Sequence, residues 1–85
     1  MENKLSIIGI FVQSPDAVNE VNELLHQYAD KIVGRMGLPY RKRNVNIIAI
    51  ALDAPQNTIA ALAGKIGGLS GISVKTAYSG VMGTE

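Results

Sequence analysis

The chain has 85 residues, 47% of them apolar, with eight basic and seven acidic side chains and no cysteine. That length and composition support one small domain with its own core and exclude both disulfides and thiolate metal sites. A net charge of +1 gives no global field to attract nucleic acid, and no apolar run approaches the roughly 20 residues of a membrane span. No secretory leader pattern opens the chain, so a soluble cytoplasmic protein is the expectation.

Lys4 to Val12 (KLSIIGIFV) is rich in β-branched and aromatic residues and too short for a typical helix, which predicts a strand. Ser14-Pro15-Asp16 then resembles a helix start. Ser14 can cap, Pro15 fits the first turn, and Asp16 suits the positive end of the helix dipole. Ala17, Val18, Val21, Leu24, Leu25 and Tyr28 follow at helical spacing and form one apolar stripe. Lys31 to Tyr40 predicts a weaker strand, with Gly34 and Gly37 able to admit a bulge and Pro39 suited to an edge. Arg41-Lys42-Arg43 makes a charged hairpin turn that keeps that edge soluble.

Asn44 to Leu52 (NVNIIAIAL) predicts a strong strand. Asp53 with Pro55 opens a second helix with apolar positions at Ile59, Leu62, Ala63, Ile66 and Leu69, and Gly67, Gly68 and Gly71 punctuate its end. Ile72 to Tyr78 (ISVKTAY) alternates cleanly as a last strand, and residues 80–85 read as a flexible tail after a single domain at 1–79. The order β-α-β-β-α-β is that of the α+β ferredoxin-like sandwich, two helices on one face of a four-stranded antiparallel sheet. Right-handed crossovers put the first and third strands in the middle.

That architecture covers one sheet face only, yet both central strands are apolar on both faces. In the first, Leu5, Ile7 and Phe11 oppose Ile8, Ile10 and Val12. In the third, Val45, Ile47, Ala49 and Ala51 oppose Ile48, Ile50 and Leu52. One set must stay uncovered, which predicts a homo-oligomer, dimer or tetramer. Its interface is expected on Ile8, Ile10, Val12, Ile48, Ile50 and Leu52.

Chemistry is sparse. His26 is the sole histidine and falls off the apolar stripe, so an intramolecular metal site is not expected. Ser14, Thr58, Ser70 and Ser79 have no base that the sequence places beside them, and no phosphate loop, dinucleotide fingerprint or zinc motif is present. The glycines from Gly64 to Gly71 follow a helix instead of preceding one, which marks helix termination. Ferredoxin-like RNA binders stack bases on aromatic residues of the central strands, and only Phe11 is available here, so nucleic-acid binding is not expected.

The stretch LLHQYADKIVGRMGLPYRKRNVNIIAIALDAPQNTIAALAGKIGGLSGISVKTAYS resembles small stand-alone proteins grouped as iron-only hydrogenase system regulators. The likeness covers Leu5 to Ser79. Its most specific pieces are GRMG (Gly34 to Gly37) with Pro39-Tyr40, DAP (Asp53 to Pro55) and GISVKTAYS (Gly71 to Ser79). The resemblance implies an ACT-like fold, akin to the C-terminal sensor domain of the nickel-responsive repressor, and a place in anaerobic hydrogenase biology. The histidines and cysteine that hold nickel in that domain are absent, so nickel sensing does not carry over. Amino-acid-binding ACT domains place a glycine in the turn after the first strand. The corresponding Gln13 to Ala17 has none.

Residues and resemblance together predict a non-enzymatic regulatory or sensor module, with no cofactor, that oligomerises and binds a small molecule or a regulatory protein partner. The expected ligand site lies between the first strand-to-helix turn and a neighbouring subunit, with Gln13, Ser14 and Asp16 in the turn, and with Arg35 and Tyr40 supplying charge and a hydroxyl where their strand lies against it. The competing expectation is a structural assembly module whose only activity is pairing.

Overall fold

Alternating β-branched side chains build the two long strands at the middle of the sheet, because branching at Cβ favours the pleated backbone. The computed structural model describes residues 2–80. Its elements are β1 (Asn3–Val12), α1 (Ala17–Gln27), a 3₁₀ turn (Ala29–Lys31), β2 (Ile32–Tyr40), a second 3₁₀ turn (Arg41–Arg43), β3 (Val45–Pro55), α2 (Gln56–Gly67) and β4 (Ile72–Tyr78). The expected tail lies, beyond Gly80, outside the described residues.

The strands run in the order β2-β3-β1-β4, all antiparallel, so β1 and β3 are central as the crossover rule requires. Both helices cover one face. α1 buries Ala17, Val21 and Leu25, and α2 buries Ile59, Leu62 and Ile66, each set at the three-to-four-residue spacing of a single stripe. Beneath them lie Ile8, Ile10 and Val12 of β1 and Ile48, Ile50, Leu52 and Ala54 of β3.

This corrects the expected interface. Ile8, Ile10, Val12, Ile48, Ile50 and Leu52 are at most 5% exposed and form the core of the protomer. The signal that assigns the faces is in β4. Its apolar Ile72 and Val74 pair with Val12 and Ile10, while Ser73 and Lys75 pair with Phe11 and Gly9. An edge strand with one polar face turns that face to water, so its partners on β1 share the uncovered side.

Two helix starts also differ from the expected caps. No side-chain cap forms on α1. Its first turn is closed instead by backbone bonds from the N–H of Ala17 to the Ser14 carbonyl (3.0 Å) and from Val18 to Pro15 (3.3 Å). Asp53 does not open α2, because β3 stays paired with β1 as far as Asn3 opposite Pro55, and Pro55 itself precedes the helix.

Gly71 ends the α2–β4 connection in the left-handed region, at φ 77°. A Cβ there would stand 2.9 Å from Cβ of Ser14, and the Gly71 carbonyl accepts the N–H of Gln13 at 2.8 Å. Gly71→Ala combines a left-handed penalty of about 1–2 kcal/mol with that clash. Thermal unfolding followed by circular dichroism is expected to fall by roughly 10 °C. An unchanged midpoint would mean that the turn relaxes freely.

Candidate functional site

Because both helices lie on one side, the opposite face of the sheet is open. β1 presents Leu5, Ile7 and Phe11 there, β3 presents Ile47, Ala49 and Ala51, and β2 presents Met36 and Leu38. Ile7 is 55% exposed, Met36 54% and Val33 68%, in contrast to Ile8 at 0%. Large and small residues alternate across this surface. Leu5, Ile7 and Val33 rim a shallow concavity of about 340 Å³ floored by Ala51 and Ala77. Ile7 and Met36 rim a second, of about 280 Å³, over Ala49, Ala51 and Gly34. Projections and depressions are thus carried on one apolar surface. The charged side chains that the register puts on it are Lys75, opposite Gly9, and Asp53, opposite Leu5.

The five residues expected to share a ligand site do not converge within one protomer. Gln13, Ser14 and Asp16 form the turn between β1 and α1, and that turn is closed on itself and on Gly71 by the backbone bonds described above. Tyr40 pairs with Val45, at the same end of the sheet but two strands away and on the open face. Arg35 pairs with Ile50, whose side chain lies in the core, so Arg35 belongs to the helix side. An odd separation of five along one strand puts Arg35 and Tyr40 on opposite faces, a rule legible in the sequence. The bulge of β2 does fall beside Gly34, between Ile32 and Gly34.

Arg35 reaches back to α1 instead. Its Nη2 donates to Oδ1 of Asn22 at 3.0 Å. Asn22, His26 and Arg35 line a concavity of about 260 Å³ whose floor is Leu25, Ala29 and Ile32. His26 follows Asn22 by one helical turn on the same face. The sequence singles out Arg35 but not its partners, because the pairing depends on how α1 lies along the edge strand.

The one ion pair among the described residues joins Lys31 Nζ and Asp30 at 3.1 Å. The hydrogen bond from Lys31 and then its charge hold the Asp30 carboxyl below the usual range, but the group is fully in water and screened. Among the described residues no group of three potential metal ligands forms, and no helix is long and apolar enough to cross a membrane. Ser6 is the one buried polar side chain among them, and its hydroxyl meets no partner there.

The family model described as TM1266-like, iron-only hydrogenase system regulator, matches residues 4–76. The chain belongs to the TM1266-like family. Those residues hold the open face and the Arg35 cleft alike. The uncharacterized protein TM1266 of Thermotoga maritima is 41% identical, with a TM-score of 0.86 over 91% of this chain and 98% of that one. Two further solved structures share the fold alone. The C-terminal domain of MgtC from Mycobacterium tuberculosis has 12% identity and a TM-score of 0.74, over 92% of this chain and 89% of that one. A formyltetrahydrofolate deformylase of Pseudomonas putida KT2440 has 13% identity and a TM-score of 0.63, over 86% of this chain and 28% of that one. No curated protein sequence matches the chain. The TM1266-like name carries a regulatory role, and the α+β sandwich is the ferredoxin-like one that the order of elements predicts.

Proposed function

We propose that this protein is a non-enzymatic regulatory module of the iron-only hydrogenase system that works as a homodimer closed through the open face of its sheet. The observation that carries the reading is the contiguous set of exposed apolar side chains, Leu5, Ile7, Phe11, Val33, Met36 and Leu38, on a domain whose helices are all committed to the other face. Exposed apolar surface on this scale marks an interaction site.

A second copy suits this surface better than an unlike partner. Lys75 and Asp53 give it one charge of each sign, so two copies do not repel. A two-fold axis sets the projections of one protomer against the depressions of the other, the self-complementarity that isologous dimers need. Four strands about 4.8 Å apart and about 25 Å long give a flat footprint of roughly 500 Å² per protomer. That lies at the small end of specific interfaces, where dissociation constants of roughly micromolar are usual.

Both concavities on this face have apolar walls, which favours assembly over capture of a polar ligand between protomers. No acid, base and nucleophile meet in the described residues to suggest a reaction. Sedimentation velocity from roughly 1 to 100 μM tests the proposal, with a concentration-dependent shift to the mass of a dimer expected. A monomer throughout that range overturns it.

A further inference from the structure

The cleft between α1 and β2 has a chemistry that the open face lacks. We infer that Arg35, Asn22 and His26 form a binding site for a small oxyanion, the phosphate or carboxylate group of a compact metabolite. The site lies on the helix side of the sheet, so it stands or falls independently of the dimer.

Several observations converge. The Arg35 guanidinium has no carboxylate partner among the described residues; its fixed neighbour is the neutral amide of Asn22. With Oδ1 of Asn22 accepting from Arg35, the Nδ2 donors of that amide are left for a ligand. His26, on the same wall, adds a ring N–H. The lining thus consists of polar donors over the apolar floor of Leu25, Ala29 and Ile32, with no acidic side chain in it. Glu23 borders the adjoining groove beyond His26, and Asp30 is engaged by Lys31.

A guanidinium held by one neutral acceptor keeps further N–H donors of its planar fork, which match an anion with two acceptor oxygens. Gly37, two residues on and on the same side of β2, would meet nothing within 4 Å if it carried a Cβ. The fold leaves that ground beside Arg35 open without needing to. At about 260 Å³ the cleft falls just below ordinary ligand pockets, which restricts it to an anionic group with a few attached atoms.

The test is a ¹⁵N NMR titration of the intact chain with inorganic phosphate and, separately, acetate, at constant ionic strength. Saturable shifts are expected at Asn22, His26 and the Arg35 Nε–H, with dissociation constants of roughly 1–10 mM. Tighter binding of phosphate would assign a phosphate ligand, and equal or tighter binding of acetate a carboxylate. Arg35→Met is expected to weaken binding about tenfold or more and Arg35→Lys by a few-fold, while Arg43→Gln leaves it unchanged. The Arg35 Nε–H signal of the unaltered protein keeps the test decisive if Arg35→Met fails to fold. Shifts centred on Arg41 to Arg43, binding retained in Arg35→Met, or no saturable shift with either anion to roughly 50 mM would each overturn the inference.

Discussion

Ile7→Glu is expected to leave the protein folded and to make it a monomer. In the protomer the Ile7 side chain is more than half exposed, so a carboxylate there stays in water and costs the fold little. In the proposed dimer the same position would stand between the two depressions of the open face, where a partner takes it out of water. An unpaired buried charge costs about 3–5 kcal/mol, and the two-fold places one on each protomer. The dimer dissociation constant should therefore rise at least 100-fold, on the order of 3 kcal/mol. Sedimentation velocity reads the loss of dimer, and an unchanged far-ultraviolet circular dichroism spectrum shows that the fold survives. A variant that is still dimeric at the same concentrations would remove the open face from consideration.

The second large effect comes from the neighbouring isoleucine. Ile8 is fully buried between β3, β4 and the helices, and truncation to alanine leaves a cavity that costs about 2–5 kcal/mol. A domain of this length has roughly 4–13 kcal/mol of total stability, so Ile8→Ala should lower the urea midpoint sharply and unfold part of the population. Ile7→Ala, measured on the monomer, should cost less than about 1 kcal/mol. These adjacent residues are chemically identical, and only the pleat separates them. Equal losses from the two substitutions would mean that the helices do not lie where β4 indicates.

That pair also shows how much was legible in advance. Alternation, turn residues and helical spacing gave the order of elements and the central place of β1 and β3, since each rests on local backbone preference. What local pattern cannot rank is two apolar faces of one strand. Ile8, Ile10 and Val12 read as well for an interface as for a core until the register with Val74 and Ile72 is known. Pairing register is a property of distant segments, and a shift by one residue exchanges the faces. The candidate ligand residues stay apart within one protomer for a simpler reason. Arg35 and Tyr40 stand five residues apart on one strand, and an odd spacing sends them to opposite faces. The partnership of Arg35 with Asn22 joins two elements that meet only after the crossover is built. Ser14 and Asp53 have good capping chemistry, but tertiary pairing extended the strand through Asp53 and backbone bonds closed the turn at Ser14.

The bond from the Gln13 amide to the Gly71 carbonyl ties the β1–α1 connection of the first half of the chain to the α2–β4 connection of the second. Neither can open alone without breaking it. The Gln13 amide exchanges with solvent once that tie opens, and an exposed turn opens more readily than the central strands. Gln13 therefore works as a native clock. Its deuterium uptake should run ahead of the slowest amides of β1 and report the parting of the two connections before the sheet opens.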